Sequence, residues 1–188
     1  MLSNPVEDVP FNITRLSHVV LTSRDLDATR YFYEAGLGLE VTEHSATHLC
    51  VRAIEEVAHH SLRFEKVVHD RPGEVRAIGY RMFSDDDLRR AFDWFSARGE
   101  SPEWVERPFQ GLTLRIIDAV GVPVEFTATM PGPENRMRHF HTHAGGKLVF
   151  LDHVQVATHD VQAAFDWYTS IGFRLTEYTA TDGTDELW

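Results

Sequence analysis

Apolar and polar positions along this chain fall into two alternating rhythms, one of strands and one of amphipathic helices. An apolar run from Leu16 to Leu21 has strand length and is closed by Thr22-Ser23. Asp25 is placed to cap a helix, and Leu26, Thr29, Phe32 and Tyr33 follow its three-and-four spacing. Gly36 and Gly38 end that helix. Residues 40–46, 48–54 and 61–68 mix β-branched, apolar and polar positions as strands do. The first unit therefore reads βαβββ.

A second unit repeats the order without repeating the letters. Residues 75–83 form a strand, and Ser84 caps a helix that runs to about Arg98, with Leu88, Ala91, Phe92 and Phe95 on its apolar face. Asp85, Asp86 and Asp87 crowd its start and Arg98 its end, which suits the macrodipole; Gly99 stops it. Residues 104–107, 112–117 and 122–129 supply three more strands, with Pro123 near a strand start. The segment Met130-Pro131-Gly132-Pro133-Glu134 breaks the pattern, so residues 131–147 are expected to be a linker.

From Leu148 the first unit returns. Ser17-His18-Val19-Val20-Leu21 is echoed by Asp152-His153-Val154-Gln155-Val156, and Asp25, Phe32-Tyr33, Gly38 and Thr42-Glu43 by Asp160, Trp167-Tyr168, Gly172 and Thr176-Glu177. A strand over 148–157, a helix over 160–170 and a strand over 173–179 are expected, then a turn at 181–184 and the start of a further strand. This third unit stops short of four strands, so the expected fold is α+β: paired βαβββ modules and an incomplete third. The expected domains are 1–130, the linker 131–147, and 148–188 as the truncated start of another domain.

Composition narrows the partners. The chain has 188 residues, 43% hydrophobic and 25% charged, as a water-soluble globular protein does. A formal net charge of −11 argues against nucleic acid, which needs a basic face. No apolar run nears the roughly 18–20 residues that span a bilayer, and no signal peptide is visible. A lone cysteine, Cys50, points to a reducing, cytoplasmic compartment and reads as a buried, inert thiol.

Four groups of residues offer chemistry. His153 sits on the opening strand of the third unit, with Gln155 two residues on and so on the same strand face. His18 holds the equivalent place in the first unit, and Glu125 lies on the closing strand of the second; together they make an alternative metal-ligand pair. A third ligand from the start of the second unit is needed, and Tyr80 stands there, a poor ligand when neutral. His139, His141 and His143 alternate, but in a linker without thiol or carboxylate they read as an adventitious trap, and His59-His60 reads as structural.

Paired βαβββ units with a His on an opening strand and Gly121-Val122-Pro123-Val124-Glu125 on a closing one resemble the vicinal oxygen chelate superfamily. Residues 54–62, Gly79-Tyr80-Arg81, residues 121–126 and Leu151-Asp152-His153 resemble its type I extradiol dioxygenases, the homoprotocatechuate and catechol 2,3-dioxygenases. The resemblance implies a metal-free domain from the first two modules and a catalytic domain from the next two. His153 matches the first His of a two-His-one-carboxylate site for Fe(II), or Mn(II), which leaves positions open for a catechol and O2. Gln155 would be a substrate or supporting contact, and the other ligands and the acid–base group would lie beyond Trp188. The expected function is ring cleavage of a catechol next to its hydroxyls, in a protein that is a homo-oligomer when full length. Two rivals are a different vicinal oxygen chelate metalloenzyme run from His18 and Glu125, and a metal-free module that binds a small ligand.

Overall fold

The computed structural model describes residues 8–69 and 73–177. The expected turn at 181–184 and strand start after it lie outside the described residues. Strand β1 (Ile13–Ser23) leads into α1 (Leu26–Arg30), which continues as a wider π-helical turn over Tyr31–Gly36. Then follow β2 (Glu40–His44), β3 (His48–Arg52) and β4 (Leu62–Lys66). The second module comprises β5 (Val75–Met82), α2 (Asp85–Ala97), β6 (Glu103–Val105), β7 (Thr113–Ile117) and β8 (Pro123–Thr127). A last helix, α3, spans Val161–Ser170.

All eight strands form one sheet in the order β2-β3-β4-β1-β5-β8-β7-β6. Each module is a half of it with the same internal order, since β1 pairs β4 and β5 pairs β8 in parallel while every other pairing is antiparallel. The opening strands β1 and β5 run antiparallel along the join, so the first strand of each module lies at the centre. That is how two βαβββ units with few letters in common become one continuous surface.

Local signals place the helices. Asp25 accepts from the Ala28 amide at 2.9 Å, Ser84 from Asp87 at 3.2 Å and Asp160 from Ala163 at 2.8 Å, each answering a donor left free by the first helical turn. Asp87 is itself buried and takes hydrogen bonds from the Asn12 amide and side chain, both at 2.9 Å. Burial pushes its carboxyl up, but these donors with Ser84 and Arg90 more than offset that and hold it at about 2.

Two hydrophobic cores lie under the helices. Leu26, Leu39, Leu49, Val51 and Phe64 pack between α1 and the first half-sheet. Leu88, Ala91 and Phe95 of α2 meet Ile78, Leu114, Val124 and Phe126 under the second. Helix α3 joins this second core through Trp167 and Ile171; Trp167 stacks on Phe95 at 5.8 Å and 13° and donates to Glu100 at 3.0 Å.

The third unit departs from expectation outside its helix. Neither residues 148–157 nor 173–177 pair as strands with any described residue. Their apolar content is right for strands, but a strand exists only with a ladder partner, and the eight-stranded sheet already pairs its own central strands. Residues 148–157 are held by single contacts, such as the Glu55 amide donating to the Val149 carbonyl at 2.9 Å, while Leu148, Phe150 and Val156 stay exposed. Among the described residues no helix is long and apolar enough to cross a membrane.

Candidate functional site

Register puts three positions in a row across the middle of the sheet: His18 of β1 faces Gly79 of β5, which faces Glu125 of β8. The sequence expectation that Tyr80 occupies the middle place is corrected. Side chains alternate faces along a strand, so Tyr80, one residue on, turns into the opposite core and packs near Phe126, Tyr168 and Phe173. Gly79 offers no ligand at all, and its bareness has a cause. A Cβ there would lie 2.1 Å from Cε1 of His18, so the imidazole fills the space a side chain would need.

His18 and Glu125 do come together, both buried, with Nε2 and Oε2 3.9 Å apart. Their hydrogen-bonding capacity goes elsewhere. Arg107 donates through Nε at 2.8 Å and Nη2 at 2.6 Å to Oε1 of Glu125. Gln110 sits 3.0 Å from Nε2 of His18, and Ser17 lies 3.2 Å from its Nδ1. Thr113 donates to the Gln110 side-chain oxygen at 3.1 Å, which turns the amide nitrogen toward His18. Burial pushes the Glu125 carboxyl up, but His18 and the Arg107 guanidinium outweigh it and hold the group below its usual value.

This arrangement does not fit a divalent ion. Gly79 leaves the middle strand, β5, without a ligand, and the guanidinium already supplies the countercharge on Glu125. The orphan is Oε2 of Glu125, buried without a hydrogen-bond partner. His18 and Glu125 therefore form a polar network paired by Gln110 and Arg107, with Oε2 of Glu125 left unsatisfied, and supply two of the three ligands that a metal centre needs. Neither Arg107 nor Gln110 was signalled by sequence, because both leave the β6–β7 connection, which has no period to read.

A second cluster was also missed. Cys50 of β3 and the consecutive His59 and His60 of the β3–β4 connection bring one ligand atom each within 4.8 Å of one another. All three are buried. His59 and His60 lie with Nδ1 atoms 3.1 Å apart, and Phe109 stacks on the His59 ring at 3.9 Å and 3°. Burial holds both imidazoles below their usual value, His60 far below, and pushes the Cys50 thiol up to about 11. The alternation of β3, with Leu49 and Val51 facing the core, was the available signal that Cys50 points the other way.

His153 is placed apart from both clusters. Its side chain is 84% exposed, and its Nδ1 lies 3.1 Å from Oδ2 of Asp152. Gln155 is exposed beside it. The His139 to His143 run forms a short 3-10 turn at Phe140–Thr142, so its histidines do not share a strand face; the His139 and His141 rings are 5.8 Å apart.

Comparison with known proteins follows this architecture. Among solved structures, homoprotocatechuate 2,3-dioxygenase from Arthrobacter globiformis matches with a TM-score of 0.82 and 28% identity, over 92% of this chain and 53% of that one. An anaerobic complex of the Brevibacterium fuscum enzyme with 3,4-dihydroxyphenylacetate matches with a TM-score of 0.81 and 27% identity, over 93% of this chain and 54% of that one. Metapyrocatechase of Geobacillus stearothermophilus is 24% identical over 97% of this chain and 58% of its own length. A manganese-dependent 2,3-dihydroxybiphenyl 1,2-dioxygenase of Geobacillus genomosp. 3 is 23% identical over 88% of this chain and 56% of its own length. The chain thus spans little more than half the length of these relatives. Residues 15–126, both modules of the sheet, match the family model for the Glyoxalase/Bleomycin resistance protein/Dioxygenase superfamily. This chain belongs to that superfamily, and its relatives there are extradiol dioxygenases.

Proposed function

We propose that the chain is the N-terminal part of an extradiol ring-cleaving dioxygenase. Residues 1–130 form a two-module domain without catalytic metal, 131–147 connect it, and 148–188 begin the domain that carries the metal. The observation that carries this reading is the contrast between the two histidines that head the repeated units, His18 on β1 and His153 outside the sheet. His18 is sealed among Gln110, Gly79 and Glu125, whereas the His153 imidazole is open to solvent.

The Asp152 carboxylate lies 3.1 Å from Nδ1 of His153; a proton held there would leave Nε2 with the lone pair that a metal takes. Gln155, two residues on and exposed like His153, would contact the same bound group if the segment pairs as a strand in the longer protein. Fe(II), or Mn(II), in a two-His-one-carboxylate site supplies open positions for the adjacent oxygens of a catechol and for O2. The second His, the carboxylate and the acid–base group belong to the modules that follow. A homo-oligomer in a reducing compartment completes the reading and suits a free, buried Cys50.

The test is O2 uptake by the product of the reading frame continued past Trp188. One O2 consumed per catechol or 3,4-dihydroxyphenylacetate, falling to background in His153→Ala, is expected. Turnover that His153→Ala leaves intact would overturn the assignment.

A further inference from the structure

We propose that Cys50, His59 and His60 form a binding site for a thiolate-preferring transition-metal ion, Zn(II) in the first instance, that clamps the β3–β4 connection to the sheet. The ligand set is one thiol and two imidazoles, which suits Zn(II) better than the oxygen ligands preferred by Mg(II) or Ca(II). Three protein ligands with a fourth position open is a recurrent zinc arrangement.

Geometry supports the assignment. Two nitrogens each about 2.0–2.1 Å from a tetrahedral ion stand roughly 3.3 Å apart, and the Nδ1 atoms of His59 and His60 are already 3.1 Å apart. The widest ligand separation is within 4.8 Å, so closing on an ion needs about 1 Å of adjustment. The connection between β3 and β4 carries both histidines and can supply it.

Ring positions are fixed by their neighbours. Phe109 has a left-handed backbone, φ 66, unusual for a bulky side chain, and this conformation lays its ring flat on His59. His60 is gripped edge-on by His18 at 5.4 Å and 77° and by His59 at 5.4 Å and 83°.

Charge is arranged on both sides. Arg63 faces Cys50 across the β3–β4 pair, favouring the thiolate while opposing a cation. Glu43 acts on Cys50 and His59 in the opposite sense, and Glu65 lies 3.6 Å from Arg63. Burial keeps Cys50 a thiol at neutral pH, so metal binding must release its proton. The site stands whether or not His153 is a ligand.

Co(II) titration of the reduced 188-residue chain, read by absorbance, tests the proposal. One Co(II) per chain with a thiolate-to-metal charge-transfer band, displaced by one equivalent of Zn(II), is expected. Cys50→Ala should abolish the band, His60→Gln should weaken binding at least about tenfold, and His153→Ala should change neither. Absence of the band, or Zn(II) binding that survives Cys50→Ala, as trapping by His139, His141 and His143 would give, overturns it. Should Cys50→Ala fail to fold, the Tm of the chain with His139, His141 and His143 replaced by Ala decides: a rise with Zn(II) but not Mg(II) supports the site, and an unchanged Tm sinks it.

Discussion

Arg107→Ala is expected to destabilise the chain by about 3–5 kcal/mol, because it strips the cation from a carboxylate that cannot reach water. Glu125 is 1% exposed, and both hydrogen bonds to its Oε1 come from Arg107. Without them His18, 3.9 Å from Oε2, is the group left to offset the burial of the carboxylate. Replacing both partners, as in Arg107→Met with Glu125→Leu, should recover much of the loss, since no charge is then left buried.

The pH dependence gives a second reading of the same change. Glu125 is held below its usual value in the folded chain, so it contributes stability above the unfolded carboxylate value and loses it as pH falls through the folded one. In Arg107→Ala only His18 is left to offset burial, so the Glu125 value should rise, and lowering the pH toward 5 should narrow the gap to the unaltered chain. Urea unfolding at pH 7 and pH 5 measures both. A loss below about 1 kcal/mol, typical of an exposed pair, would contradict the buried-network description.

Gly79→Ala is the second large effect, at about 1–3 kcal/mol for overpacking. The added Cβ meets three ring atoms of His18, at 2.1, 2.3 and 2.6 Å, and that ring is fully buried. His18 has nowhere to retreat, with Gln110 on Nε2 and Ser17 on Nδ1. The two substitutions should therefore couple: His18→Ala in the Gly79→Ala chain must cost less than His18→Ala alone, by about 0.5–3 kcal/mol in a double-mutant cycle. Strict additivity would mean that the ring and the strand are not in the described contact.

Much of the fold was legible because its signals are local. Asp25, Ser84 and Asp160 each announced a helix start through the chemistry that caps it. Apolar runs announced the strands, and the recurring order of elements announced paired modules. Register was not legible: a shift of one residue turns a side chain to the other face, which is why Tyr80 was expected where Gly79 stands. Residues 148–157 carry a strand's composition, but composition cannot supply a ladder partner. Arg107 and Cys50 reach their partners only through tertiary contacts between separate strands and connections, and no periodicity encodes those.

Fe(II) retained per chain under anaerobic dialysis tests the central claim most directly, using Cys50→Ala so that the thiol cluster does not contribute. The account predicts retention far below one iron per chain, with or without His153→Ala, because His153 brings one ligand and the His18–Glu125 pair is closed by Arg107 and Gln110. Retention near one iron per chain that survives His153→Ala and disappears in His18→Ala would contradict it, and would make the centre of the sheet the metal site.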